Sequence, residues 1–517
     1  MPVISLTYFC FIAVLMAIYY LCPGRFRWEV LLAGSVIFYI LNSSVLLFAV
    51  MAGEVLWAYV FALSLEKLGA QINCAAGEGR ELLEKKRKRT TGLAVTVPVL
   101  LLLILQDNAF FLNNFNRFLP QGSRIPAPQW AVPLGISYYT LILVGYLLDV
   151  SWQTGRPQKN PLKLLLFTCY FPQTLSGPLT RYRQIEGSLF AANRFDHVNI
   201  ERGAQRVLWG LFKKLVIAER LGVIVRTIHV DSAAYPGFYI PIAAVGYTLQ
   251  LYADFSGHMD MVLGVSEMFG VRLPENFQTP FVATNLSEVW RRWHMTLGFW
   301  VKDYVLYPFL KSPYTQKIGA FARKKWGKKA GKRVPTYCGM FVTWFAVGFW
   351  HGGSWKYIFG SGLFFFMMIA GGMLLDPVFR RVIQMLRVNT GCFSWRLFQR
   401  VRTFCLFSAS ISFGRAASLS AGFAMWKRAF YFNPWIFTDG SLYNIGLDQK
   451  DFHVLLAALF LLLMVSVSQQ KVSIRETLAR QNLPFRWGVL LGLIFSILLF
   501  GFYGPGYDSA QFVYAGF

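Results

Sequence analysis

Charged residues are scarce in this 517-residue chain. Asp, Glu, Lys and Arg make up 15% of it, against 55% hydrophobic and 17% aromatic residues. A soluble globular protein carries about 25% charged residues, so the composition excludes an ordinary soluble enzyme. Acidic residues are scarcer than basic ones. The chain has 25 Asp and Glu against 51 Lys and Arg, which gives a formal net charge of +26.

Cysteine motifs and the common catalytic signatures are missing. The seven cysteines have no CxxC spacing, which predicts neither a metal site nor a disulfide framework. The chain has no GxSxG elbow, no Walker loop and no GxGxxG after a strand. Asp254, His258 and Asp260 lack a recognised ligand spacing. We therefore predict no metal and no bound cofactor.

Long apolar runs are what the chain does contain. A hydrocarbon core about 30 Å thick needs roughly 20 helical residues to cross it. Candidate spans lie at residues 3–22, 29–43, 45–64, 93–105, 131–149, 207–225, 238–253, 335–350, 355–375, 403–420, 454–470 and 487–504. A shorter run at 164–172, followed by Gly177 and Pro178, predicts a re-entrant segment. The fold class is an all-α polytopic membrane protein with about ten to thirteen spanning helices.

The placement of the basic residues predicts the orientation. Lys and Arg concentrate in short loops, notably EKKRKR at 84–89 and the stretch from Lys311 to Arg333. The positive-inside rule produces this pattern, with contact to anionic lipid headgroups as a by-product, so no nucleic-acid partner is predicted. Keeping the basic loops inside sends 207–225 outward and 238–253 back, and leaves 254–334 on the cytoplasmic side. Both termini then lie outside the plasma membrane.

The chain is predicted to form a single membrane-embedded domain, residues 1–517. The N-terminal helices occupy 1–150, the motifs of the catalytic core 164–375 and the C-terminal helices 403–517. The highly charged segment 70–92 is the best candidate for a flexible loop.

His351 is a candidate general base. It lies in GFWHGGSW, residues 348–355, where glycines allow close backbone approach and Trp350 and Trp355 can wall a site. Ionisable residues at membrane depth usually face the bundle interior or a water path, and a neutral imidazole can accept a proton. The alternative is a structural histidine that hydrogen-bonds a carbonyl of a neighbouring helix.

His294 is the second candidate and closes WRRWH at 290–294. Helical spacing would place Trp290, Trp293 and His294 on one face, and Asp303 follows nine positions later in an apolar stretch. The alternative is an interfacial amphipathic helix with a tryptophan belt and headgroup-binding arginines.

Upstream, LYADFSGHMDMVLG at 251–264 is predicted to begin a helix. Asp254 would cap its N-terminus and Ser256 would bond its first amides.

These segments, LYADFSGHMDMVLG, WRRWH and GFWHGGSWKYIFGSG, resemble the membrane-bound O-acyltransferase (MBOAT) family. The resemblance is to its bacterial branch of alginate O-acetylation and teichoic-acid D-alanylation membrane proteins. FPQTLSGPLTRYRQI at 171–185, FGRAASLSAGFAMWKRAF at 413–430 and the C-terminal FVYAGF match too. His258 departs from the tyrosine expected after DFSG, and YPFLKSPY departs from a glycine-rich YIPLGG.

The resemblance implies about eleven transmembrane helices with re-entrant segments around a central funnel. It implies that His351 is the invariant catalytic histidine and His294 the second conserved one, where other members can carry asparagine. Candidate substrate-binding residues around them are Trp290, Trp293, Trp350, Trp355, Asp303 and Ser256.

The function expected from the resemblance is O-acyl transfer. The donor would be a cytoplasmic acyl thioester, acetyl-CoA or an acyl-carrier protein, and the acceptor a hydroxyl of an exported polysaccharide or cell-wall polymer. An extracellular or membrane-anchored partner protein would assist, and acetyl is favoured over other acyl groups. The alternatives are D-alanyl transfer to teichoic acid, a transporter of acyl carriers or lipid-linked sugars, and a scaffold without chemistry.

Overall fold

The computed structural model describes residues 3–504, and within them the chain is helical with no β-strand. Its α-helices are Leu6–Leu21, Arg27–Asn42, Val45–Cys74, Gly77–Leu105, Asn108–Phe115, Ile136–Ser151, Pro161–Cys169, Tyr182–Leu189, His197–Leu211, Glu219–Val230, Tyr239–Met268, Leu286–Arg292, Met295–Val301, Tyr307–Lys311, Pro313–Trp350, Trp355–Tyr357, Phe364–Met385, Phe393–Ser412, Leu419–Arg428, Gln449–Ser468, Ile474–Ala479 and Leu483–Phe500. Three π-helical segments join some of them, at Phe212–Ala218, Lys302–Leu306 and Ile358–Leu363. The all-α prediction is confirmed.

Several helices are long and apolar enough to cross a membrane. Among the described residues, five helices meet both criteria, at Val45–Cys74, Gly77–Leu105, Trp355–Met385, Gln449–Ser468 and Leu483–Phe500. Two shorter apolar helices accompany them, Leu6–Leu21 and Ile136–Ser151. The multi-pass membrane assignment is therefore supported, while the count of eleven, the central funnel and the external termini stay predictions.

The chain divides into two compact units. The first holds the described residues up to Val207 together with Met259–Pro274, and the second holds Leu208–His258 and the described residues from Glu275 onward. The assignment of one domain over 1–517, with its three parts, stays a prediction.

In the first unit, the apolar run at 164–172 is interrupted as its sequence indicates. The helix Pro161–Cys169 has nine residues and is capped by Asn160, whose side chain accepts a hydrogen bond from the backbone N–H of Leu162 at 2.9 Å. Nine helical residues span about 14 Å, which is half of a hydrocarbon core. In the turn that follows, a backbone group finds a partner on another helix: the Phe171 N–H donates to Ser35 Oγ at 3.1 Å. The break is confirmed, and membrane re-entry stays a prediction.

The prediction of a flexible loop at 70–92 is wrong. The helices Val45–Cys74 and Gly77–Leu105 cover this segment, with a two-residue break between them. Residues with high helix propensity and i,i+4 ion pairs stabilise the helix more than repulsion between its like charges destabilises it. One such pair joins Lys85 Nζ to Glu81 Oε1 at 2.7 Å, with both side chains about two-thirds exposed.

In the second unit, the prediction of a helix start near Asp254 is also wrong. The helix Tyr239–Met268 runs through this position without interruption. Asp254 is 0% exposed, and its carboxylate pairs with Lys214 Nζ at 2.6 Å. Lys214 also contacts Glu219 at 2.7 Å, and Lys213 donates to Ser256 Oγ at 2.8 Å. Two buried lysines on the facing π-helical segment therefore occupy the polar groups that a helix cap would use.

Two other helices in this region are longer than predicted. The span expected at 335–350 lies in the second of two helical stretches within Pro313–Trp350, which meet at Gly327, where φ is 86° and ψ is 175°. Glycine adopts this left-handed backbone without steric cost. The span expected at 207–225 lies within continuous helical structure that begins at His197 and ends at Val230.

The buried Lys214–Asp254 pair predicts a large effect of removing one partner. Lys214→Met leaves a carboxylate in a water-excluded site, and we expect the free energy of unfolding to fall by about 3–5 kcal/mol. Titration with a denaturing detergent from mild micelles measures it. Lys85→Met is the matched control, because it makes the same change in an exposed pair of similar length and should leave stability nearly unchanged. Equal effects of the two changes would contradict a structural role for the buried pair.

Candidate active site

His294 lies beyond the end of its helix, so the predicted common helical face is wrong. The helix ends at Arg292, Trp293 is extended, and His294 has left-handed backbone angles, φ 46° and ψ 50°. A neighbouring segment forms a hydrogen bond with the backbone of this turn: the Gln278 N–H donates to the Arg292 carbonyl at 2.9 Å. This hydrogen bond replaces one that a longer helix would make, and the helix ends at Arg292. Trp293 and His294 are therefore not helical and do not share a helical face with Trp290.

Asn276 holds the turn in place. Its side-chain Oδ1 accepts hydrogen bonds from the Thr296 N–H at 3.1 Å and the Thr296 hydroxyl at 2.9 Å, and lies 3.2 Å from His294 Nδ1. Its backbone carbonyl accepts from the Met295 N–H at 2.9 Å. Because a backbone N–H can only donate, the side-chain atom that receives it must be the oxygen. His294 Nδ1 therefore carries the hydrogen, and Nε2 carries the lone pair.

The two candidate histidines share one aromatic neighbour. The Trp350 ring centroid lies 6.1 Å from that of His294 and 5.2 Å from that of His351. His294 is 1% exposed and His351 7% exposed. Phe255 contacts the His294 ring edge-on, with ring centroids 4.9 Å apart. The structure therefore brings His294, His351 and Trp350 together in an apolar setting, which favours uncharged imidazoles.

His351 stands at the end of the helix Pro313–Trp350, where its N–H donates to the Val347 carbonyl at 3.2 Å. The glycines around it act as the sequence predicts. A Cβ on Gly348 would lie 2.8 Å from Ile358 Cα, so only glycine permits this approach between the two segments. Gly352 and Gly353 have positive φ and turn the chain away directly after His351.

The other predicted tryptophans have different surroundings. Trp290 packs on Trp344 and Phe365, each with ring centroids 4.9 Å away. Trp293 is buried, with the Phe277 ring 5.2 Å away. Trp355 is 42% exposed. Trp290 and Trp293 therefore belong to an aromatic core.

Two predicted polar residues have separate positions. Asp303 is half-buried in the π-helical segment Lys302–Leu306. Ser256 is buried and accepts the hydrogen bond from Lys213. Their assignment to substrate binding, like that of the tryptophans, stays a prediction. Within residues 3–504 no group of three His, Cys, Asp or Glu side chains could hold a metal ion.

Asn276 is the site residue that sequence reasoning missed. It lies in PENFQTPF, between the motifs LYADFSGHMDMVLG and WRRWH, but it has no helical or ligand spacing to either histidine. The available signal was an asparagine in a short, mostly polar segment bounded by Pro274 and Pro280. Its partners became visible only with the fold.

Comparison with known proteins shows what the chain is similar to. Residues 153–322, which contain His294, match the model of the membrane-bound O-acyltransferase family. The probable alginate O-acetylase AlgI of Pseudomonas syringae pv. tomato is 28% identical over 432 residues, which cover 83% of this chain and 74% of that protein.

Two further relatives carry other names. The peptidoglycan O-acetyltransferase of Helicobacter pylori is 30% identical over 298 residues, covering 52% of each protein. The teichoic acid D-alanyltransferase of Bacillus subtilis is 29% identical over 229 residues, covering 44% of this chain and 55% of that protein. These names all describe acyl-transferring enzymes, so the transporter and scaffold alternatives lose their support. Over residues 153–322 the chain is therefore similar to the membrane-bound O-acyltransferase family, and together with these relatives the match identifies it as an acyltransferase.

Proposed function

We propose that the chain transfers an acetyl group from a cytoplasmic thioester to a hydroxyl of an exported polysaccharide or cell-wall polymer. The observation that carries the proposal is the Trp350 ring, which contacts both buried histidines. The alginate O-acetylase relative from P. syringae matches 83% of the chain, whereas the B. subtilis D-alanyltransferase matches 44%. This difference in coverage favours acetyl, and D-alanyl transfer to teichoic acid is the second candidate.

His351 acts as the general base in this proposal. Its unprotonated ring nitrogen takes the proton of the acceptor hydroxyl as the hydroxyl oxygen bonds to the acyl carbonyl carbon. The bond from that carbon to sulfur then breaks, and the departing thiolate receives the proton from His351. Positioned acid–base catalysis of this kind contributes roughly 10²- to 10⁴-fold to the rate. Burial of the site keeps water from competing for the thioester.

His294 orients the donor. Because Asn276 fixes the hydrogen on Nδ1, Nε2 of His294 offers an acceptor. Thioester donors built on pantetheine carry amide N–H groups close to the sulfur, and such a group suits this acceptor. The Trp350 indole N–H is the candidate donor to the oxyanion that forms on the acyl carbonyl, a role typically worth a few kcal/mol. A partner protein outside the membrane would carry the acetyl group onward or present the polymer.

Replacement of the proposed base tests the chemistry. His351→Ala should lower transfer from radiolabelled acetyl-CoA in proteoliposomes by at least about 10²-fold, because no group accepts the hydroxyl proton. His453→Ala is the matched control, since His453 is exposed at the start of Gln449–Ser468 and should retain full activity. Thermal unfolding in detergent checks that both variants fold. Unchanged transfer by a folded His351→Ala protein would refute the assignment.

The contact between Asn276 and His294 gives a second prediction. Asn276→Leu removes the oxygen that holds the His294 ring, and transfer should fall about 10- to 100-fold, the range typical of groups that orient a functional histidine. Asn276→Asp keeps acceptor oxygens at the same position and should retain more activity. If Asn276 acts through His294, Asn276→Leu should add little to the loss already caused by His294→Ala. Independent, multiplying losses would contradict a positioning role.

The acyl group itself can be read from cells. Mass spectrometry of surface polymers, with and without this chain, should show loss of O-acetyl esters in its absence. Loss of D-alanyl esters with O-acetyl unchanged would instead support the second candidate.

A further inference from the structure

A cluster of basic and tyrosine side chains lies beside the His351 turn. We call it the basic cluster, and it consists of His229, Tyr247, Lys356, Tyr357 and Arg415. Its members come from the end of Glu219–Val230, the helix Tyr239–Met268, the short helix Trp355–Tyr357 and the turn Phe413–Arg415. All of them belong to the second compact unit.

Tyr357 connects this cluster to the candidate active site. A Cβ on Gly352, the residue after His351, would lie 3.2 Å from the Tyr357 ring. A Cβ on Gly414 would lie 3.2 Å from the same ring and 3.6 Å from the Tyr247 hydroxyl. The Tyr357 ring therefore packs against the turn that carries His351 and against the turn that carries Arg415.

Lys356 has a defined position in the cluster. Lys356 Nζ donates to the Ala416 carbonyl at 2.9 Å and lies 4.9 Å from the Tyr357 ring centroid. The charge of Arg415 acts on Lys356, His229, Tyr247 and Tyr357. Arg415 is exposed and Lys356 half-buried, so the positive end of the cluster is open to a ligand.

The cluster lacks a counter-charge of its own. Within residues 3–504, neither Lys356 nor Arg415 forms an ion pair with Asp or Glu. Two buried cations of the same unit do have one. Lys214 pairs with Asp254, and Arg220 pairs with Asp451 at 2.9 Å. Two like charges held close together, one of them partly desolvated, cost free energy that an anion recovers.

We propose that Lys356 and Arg415 form an acceptor subsite that binds an anionic group of the polymer, a carboxylate or a phosphate, next to the hydroxyl that is acylated. The inference rests on the proposed function and specifies its acceptor as an anionic glycan or polyol phosphate. A guanidinium binds either group through paired hydrogen bonds, and an ammonium adds a point charge. Tyr357 supplies a ring face for a sugar and fixes the distance from the anion to His351.

The predicted orientation of the chain in the membrane supports an acceptor subsite at the basic cluster. The charge alternation that puts 254–334 inside sends the loop after 207–225 and the turn after 335–350 outward. His229 and Lys356 adjoin these two connections. An exported polymer would reach the basic cluster from that side.

Acceptor kinetics test the subsite. The purified full chain in proteoliposomes receives labelled acetyl-CoA and one of three probes: mannuronate oligomers, glycerol phosphate oligomers or neutral manno-oligosaccharides. Arg415→Gln should raise KM for an anionic probe about tenfold, as expected for the loss of one charge-assisted contact. The preference for that probe over the neutral one should fall by the same factor. Whichever anionic probe responds identifies the group as carboxylate or phosphate.

The control variant is Arg226→Gln, which removes an exposed arginine from the helix that carries His229. It should leave KM for every probe close to the wild-type value. Equal KM changes in Arg415→Gln and Arg226→Gln would show a general surface potential and overturn the subsite. An effect of Arg415→Gln seen only in vesicles containing anionic phosphatidylglycerol, and not in pure phosphatidylcholine, would assign the cluster to lipid headgroups and overturn it too.

Failure of the subsite and failure of the proposed function are distinguishable. If wild-type protein transfers no acetyl group to any probe and consumes no donor in a His351-dependent manner, the proposed function fails. If wild-type transfer is intact and Arg415→Gln and Lys356→Gln leave the anionic preference unchanged, only the acceptor subsite fails.

Discussion

Polar groups held away from water in a membrane protein must find partners within the chain, and this constraint explains much of the geometry around the candidate site. Asp254 lies inside a continuous helix only because Lys214 faces it from a neighbouring segment. The turn at His294 exists because Asn276 accepts the hydrogen bonds that a helix would otherwise satisfy. Internal pairing therefore shapes the backbone here as much as apolar packing does.

The features that local patterns encode could be predicted from the sequence. Apolar runs of membrane length identified the helical class, and Gly177 and Pro178 marked the break after the short helix Pro161–Cys169. Glycines around His351 indicated a close approach of backbones, which Gly348 makes with Ile358. The family motifs then selected His294 and His351 as a pair, and Trp350 contacts both.

Features that depend on partners distant in the chain could not be predicted. Asp254 and Lys214 are 40 residues apart, and Asn276 and His294 are 18 apart, with no periodicity that links them. A cap and an ion pair use the same carboxylate, so Asp254 was open to either interpretation until its neighbour was known. The high density of charged residues after Cys74 predicted a solvated loop, but this segment forms a helix.

The left-handed backbone of His294 restricts which residues can replace it. At φ 46° most side chains collide with their own backbone, whereas glycine, asparagine, aspartate and histidine are tolerated. Of these four, aspartate would bring a charge into an apolar site, and glycine offers no side-chain acceptor. Histidine and asparagine remain, the two residues that the family resemblance implies at this position. Evolutionary exchange there is therefore limited first by backbone shape and only then by chemistry.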